Sequence, residues 1–160
     1  MKILLATDGS EYSKAAVEEI AGSTLSPGTE VYIISAFRGS SIIMPIPAPG
    51  GGLGGYYEDV ILVARKTAEK TVKKAADYLA KKNHSLKIKT AAIEGIPKHV
   101  ILSEAEKIGA GLIVVGSHGS GAIERFLLGS VSQAVALHAK CSVLIVRKKK
   151  IKSNQNKKKK

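Results

Sequence analysis

Gly116-Ser117-His118-Gly119, nine further residues, and then Gly129-Ser130-Val131-Ser132 form a pattern with the chemistry of an anion cradle. The apolar run Leu112-Ile113-Val114-Val115 precedes the first glycine, and a helix-compatible segment follows the last. Strand, glycine loop and helix N-terminus together present free backbone N–H groups to a negatively charged ligand. Glycines serve such a loop by permitting positive φ and by leaving no Cβ between the main chain and a phosphate. Ser130 and Ser132 add hydroxyl donors, and Ser130 is placed to cap the helix. His118 stands inside the loop, where it either touches a phosphate or faces solvent. Arg125, within the spacer, either approaches the phosphates or pairs with a surface acid. The pattern is not a Walker loop, because no Lys follows the last glycine, and its spacing also differs from the dinucleotide fingerprint.

Strands and helices that could position this loop are legible along the chain. Lys2 to Ala6 is a short apolar run of the central-strand kind. Ser10 caps a helix running to about residue 22, with Ala16 and Ile20 inward, ended by Gly22 and the Ser26-Pro27-Gly28 turn. A second strand covers Glu30 to Phe37. Residues 38–57, with three prolines and a run of glycines, read as an irregular loop, a mobile lid or a floppy crossover. Ile61, Ala64, Ala68, Val72, Ala75 and Leu79 recur at helical period over 58–82, with basic residues on the other faces. Leu86 to Ile93 alternates apolar and basic residues, as a half-exposed edge strand does. Pro97 suits a first helical position, and Gly109 to Gly111 closes that helix. Gly129 or Ser130 begins a last helix, and Ser142 to Val146 is a fifth strand. The alternation predicts an α/β fold, a single-domain open five-stranded parallel sheet with helices on both faces.

Composition narrows the class. A length of 160 residues holds one domain with a real core, built from Ala, Val, Ile and Leu because aromatics make up only 4%. No run reaches the length of a membrane span, and Asp8 interrupts the apolar start too early for a signal sequence. One cysteine, Cys141, leaves no internal disulfide and fits a reducing compartment, so a cytoplasmic location is expected. His84, His99, His118 and His138 show no metal-ligand spacing. The net charge is +12, but nine positive charges and no acid lie from Arg147 to the end, leaving +3 for the rest. Residues 148–160 therefore read as a disordered basic tail rather than a binding face.

The glycine spacing resembles the ATP-binding motif of the universal stress protein family. Three other segments carry the likeness: Ala6-Thr7-Asp8-Gly9-Ser10, Glu94-Gly95-Ile96-Pro97, and His138 to Arg147. Together they cover residues 1–147. The resemblance implies the strand order 3-2-1-4-5, which sequence pattern alone does not give, and brings the Asp8 and Gly116 loops together at a crevice. It implies an adenine nucleotide as ligand, ATP with Mg²⁺ across the phosphates, held by the Gly-x2-Gly-x9-Gly-Ser loop. It also implies that Ala6, Thr7 and Ala36 line the base pocket. Asp8 reads either as a turn or cap residue or as a contact to ribose or adenine, since a carboxylate would repel a triphosphate.

No Ser-His-Asp arrangement with supporting context and no paired carboxylates accompany the loop, so the expected role is regulation by nucleotide rather than turnover. Two alternatives remain: a weak ATP hydrolase, and a nonenzymatic adaptor whose tail engages nucleic acid or anionic membrane. The apolar fifth strand, left at a sheet edge by the implied order, predicts a homodimer paired through residues 142–147.

Overall fold

The computed structural model describes residues 1–39, 54–120 and 128–148, with the backbone alone for 54–57. Nine elements alternate through them: β1 (Lys2–Ala6), α1 (Glu11–Gly22), β2 (Glu30–Phe37), α2 (Gly54–Lys82), β3 (Lys87–Glu94), α3 (Pro97–Ile108), β4 (Leu112–Gly116), α4 (Ser130–His138) and β5 (Ser142–Val146). All strand pairs are parallel, in the order β3-β2-β1-β4-β5. The α/β expectation and the strand order both hold.

Apolar strand runs make sense because both faces of the sheet are covered. Ile3, Leu5, Val31, Ile33 and Val114 pack on one side with Ala16, Val17 and Ile20 of α1 and Val72, Ala75 and Leu79 of α2. Leu4, Ile34, Ile113 and Val115 face the other way, against Val100, Ile101 and Ala105 of α3 and Val135 of α4. Neighbours in sequence thus serve opposite layers. A one-residue slip in β1 would exchange Ile3 and Leu5 for Leu4 and misalign both cores at once.

Helix ends follow local chemistry. The Ser10 hydroxyl accepts from the Ser13 N–H at 3.2 Å and caps α1, a contact of the kind worth about 1 kcal/mol. Pro97 opens α3, where its missing N–H costs nothing. Gly109 closes α3 at φ 63°, in the left-handed region, with its N–H on the Glu106 carbonyl at 3.0 Å. Gly22 lies within α1, whose cap is Ser23. One boundary differs more. The helix expected from residue 58 starts at Gly54, so two glycines taken for loop form its first turn. That turn lacks intrahelical N–H partners in any sequence, and a 29-residue helix anchored further along can propagate back into it. Residues 40–53, most of the expected loop, and the tail from 149 lie outside the described residues.

Gly116 ends β4 directly beneath α1. A Cβ there would stand 2.6 Å from the Tyr12 carbonyl carbon and 2.8 Å from the Ser13 nitrogen. Both are backbone atoms, so the helix itself would have to retreat. Replacing Gly116 by Ala should cost about 1–3 kcal/mol in urea denaturation. Gly22→Ala, where nothing lies within 4 Å, should be neutral or stabilising by up to about 1 kcal/mol. An unchanged midpoint for Gly116→Ala would contradict the close approach.

Candidate functional site

β1 and β4 are neighbours, with Ile3 beside Leu112 and Leu5 beside Val114. From β1 the chain enters α1 on one face, and from β4 it enters α4 on the other. A crevice therefore opens at the carboxyl ends of these two strands, where open α/β sheets receive ligands.

Ser117 is the knot of this crevice. Its N–H donates to the Val146 carbonyl at 2.7 Å, and its own carbonyl accepts from the Gly129 N–H at 2.8 Å and the Ser132 hydroxyl at 2.8 Å. Its hydroxyl lies 3.1 Å from His118 Nδ1. Ser132 is buried, and its hydroxyl is also 2.9 Å from the Gly129 carbonyl. The proton is thus engaged inside the protein, and Ser132 turns its backbone N–H rather than its hydroxyl proton to the helix end.

Gly129, not Ser130, occupies the N-cap of α4, with φ −74° and ψ 159°. No side chain caps the helix; Ser130 is its first helical residue. The first helical bond runs from the Gln133 N–H to the Gly129 carbonyl at 2.9 Å. The N–H groups of Ser130, Val131 and Ser132 precede that bond and have no acceptor among the described residues. Three such donors at the positive end of a helix dipole favour an anion.

The glycines act differently from expectation. Gly116, Gly119 and Gly129 all lack positive φ. Each instead lets the protein approach itself. A Cβ on Gly129 would meet the His118 Cα at 3.2 Å and the Ser117 carbonyl oxygen at 3.3 Å, and one on Gly119 would stand 3.0 Å from Asp8 Oδ2. Absence of a side chain packs the loop against α4 and Asp8 before any ligand is considered.

Asp8 ties the two loops together. Its Oδ1 accepts from the Ser10 N–H at 3.0 Å and its Oδ2 from the Ser120 N–H at 2.8 Å. Burial pushes this carboxyl up, but hydrogen bonds from Ser10, Ser13 and Ser120 outweigh it and hold the pKa below the ordinary value of 3.8. Next to it, the Thr7 and Ser13 hydroxyls lie 3.1 Å apart, and the Thr7 N–H donates to the Ile34 carbonyl at 2.9 Å. Ala6 and Ala36 pack on the α3–α4 side of the sheet, where their small side chains leave its carboxyl edge thinly covered. Of the expected residues, Arg125 lies outside the described ones.

Three contributors escaped the sequence reading. Tyr12 packs its ring on His118, centroids 5.0 Å apart. Ser120 supplies the N–H that reaches Asp8 across the crevice. Ser13 bonds with Thr7 and Ser10. Ser13 did leave a trace, being a polar residue on the same helical stripe as Ala16, Val17 and Ile20; the other two depend on tertiary contact alone. No group of three described His, Cys, Asp or Glu residues is placed to hold a metal. Cys141 is half-buried against the α3–α4 layer, and no described helix is long and apolar enough to cross a membrane.

The family model described as the universal stress protein family matches residues 1–147. The chain belongs to that family. A universal stress protein of Methanocaldococcus jannaschii is 35% identical over 149 residues, covering 93% of this chain and 83% of its own. A family member from Arabidopsis thaliana, solved with AMP bound, superposes with a TM-score of 0.66 at 16% identity, over 94% of this chain and 93% of its own. A universal stress protein in complex with cAMP gives 0.56 at 24% identity, over 92% and 96%. At these identities the two structures establish the shared fold.

Because the folded pKa of Asp8 is depressed, its carboxylate stabilises the fold fully above pH 3.8, the unfolded value, and loses that contribution as pH falls through the lower folded value. Asp8→Ala should therefore lower the urea midpoint at pH 7 and differ less from the parent as the pH drops below about 3.8. An equal gap at pH 7 and pH 2.5 would show that ionisation of Asp8 plays no part.

Proposed function

We propose that the chain is a nonenzymatic regulatory protein that binds an adenine nucleotide in the crevice between β1 and β4. The observation that carries this reading is the set of three backbone donors on Ser130, Val131 and Ser132, beside the loop from Gly116 to Gly119. Their number and the helix dipole fit a phosphate group. Ala6, Thr7, Asp8 and Ala36 form the nucleoside end, and His118 and Arg125 flank the phosphate end. AMP and cAMP in the two related structures support an adenine base.

ATP with Mg²⁺ is the proposed ligand. The donor set suits anionic phosphate oxygens, while the described residues offer no carboxylate cluster for a metal, so Mg²⁺ enters as part of the nucleotide complex. The Asp8 carboxylate accepts two backbone N–H bonds and is held ionised, which makes it a poor proton acceptor. That favours binding over hydrolysis.

Ser130→Pro tests the phosphate contact directly. Proline is well tolerated at a first helical position, and the extended geometry of Gly129 accepts a following proline. The substitution removes one N–H and should weaken ATP and AMP by about tenfold to a hundredfold, the worth of one charge-assisted hydrogen bond. Adenosine should be unaffected, and Ser130→Ala, which keeps the N–H, should bind ATP as the parent does. Calorimetric titration reads all of this, and a folded Ser130→Pro with parental ATP affinity would remove the α4 N-terminus as the phosphate site.

The assembly we propose is a homodimer through β5. This strand pairs with β4 on one side only among the described residues, and Leu144 is 37% exposed. An apolar strand edge favours pairing with an identical edge. Light scattering at micromolar concentration should give twice the chain mass, and Leu144→Lys should shift it toward the monomer. A parent that stays monomeric on concentration would rule the dimer out.

A further inference from the structure

We propose that the basic segment beginning at Arg147 makes the nucleotide site selective for the number of phosphates, favouring tri- over monophosphates. The inference rests on the reading of the α4 N-terminus as the phosphate site. Three N–H groups can anchor one phosphate, but they do not neutralise a chain of them. The crevice walls supply little more. Residues 7–13, 116–120 and 129–132 contain no Lys or Arg, and they do contain Asp8 and Glu11. A triphosphate there brings several negative charges to a rim that already carries two acids.

Countercharge arrives with the end of β5. Val146 lies in register with Gly116, and its carbonyl accepts from the Ser117 N–H at 2.7 Å. Arg147 therefore leaves the sheet immediately beside the glycine loop. Lys148 is then held by Glu11, the first residue of α1 and the neighbour of the Tyr12 that packs on His118. That ion pair fixes the start of the basic segment at the carboxyl end of the sheet, the end where the crevice opens. It also removes the Glu11 charge from the set facing a nucleotide. Lys149, Lys150 and Lys152 follow with no intervening acid. Chain geometry keeps Lys152 within about 14 Å of Lys148, a distance below two Debye lengths at physiological salt. Attraction across such a distance grows with ligand charge, so it favours ATP over ADP and ADP over AMP.

The test compares three proteins: the full chain, the full chain carrying Lys149→Gln, Lys150→Gln and Lys152→Gln, and a chain ending at Lys148. The last keeps every described helix and strand, all of which end by Val146. Dissociation constants for ATP, ADP and AMP are measured by calorimetry without added divalent cation, at low and high salt. In both altered proteins the preference for ATP over AMP at low salt should fall by about tenfold, as expected for several charges at screened distances. AMP affinity itself should move about twofold or less, because one phosphate stays on the helix N-terminus. High salt should bring the three proteins together. If all three bind ATP with the same preference over AMP at low salt, this inference falls while the nucleotide site stands. If none binds any of the nucleotides, the site reading falls and takes the inference with it.

Discussion

The arrangement depends on one close contact, the backbone of α1's first turn lying on the end of β4 with no side chain between them. Gly116 makes the contact achievable, since even a methyl group would come within 2.6 Å of the Tyr12 main chain. With α1 seated so low, Asp8 at the start of its loop reaches the Ser120 N–H, and Tyr12 reaches the His118 ring. The crevice has its shape because a helix and a strand from distant parts of the chain are pressed together at this point.

Hydrogen bonds then convert proximity into order. Asp8 and Ser117 each accept or donate across segments far apart in sequence. Neither is a strong interaction by itself, as a net hydrogen bond contributes about 1 kcal/mol. Their value lies in joining four chain segments, so that the donors of Ser130 to Ser132 are presented in a fixed direction. A rigid frame of this kind reduces the ordering cost that a ligand must otherwise meet.

The sequence disclosed the frame better than the site. Apolar runs at β1 and β4 and the helical stripe of α2 identify buried elements because burial on two faces or one stripe leaves a periodic trace. Pro97 and Gly109 bound α3 because their backbone restrictions are local. Strand order was different: periodicity says nothing about which strands are neighbours, and only the likeness to a family supplied it. The glycine pattern located the crevice yet misled about its physics. Spacing reveals that a side chain is absent, but not what fills the room. Here much of that room is filled by Tyr12, Ser117, His118 and Asp8. Tyr12 and Ser120 left no signal because their roles exist only once α1 and β4 are packed.

The bond from Ser117 to Val146 has a consequence for motion. β5 is an outermost strand, and outermost strands open locally more easily than central ones. Since the loop's first N–H is fastened to the last carbonyl of β5, the loop can be no more firmly ordered than the margin of the sheet beside it. Anything that grips that margin would quieten the crevice from outside, and anything that peels it away would slacken the crevice without touching a residue that lines it. The far border of the sheet thus sets the stiffness of its centre.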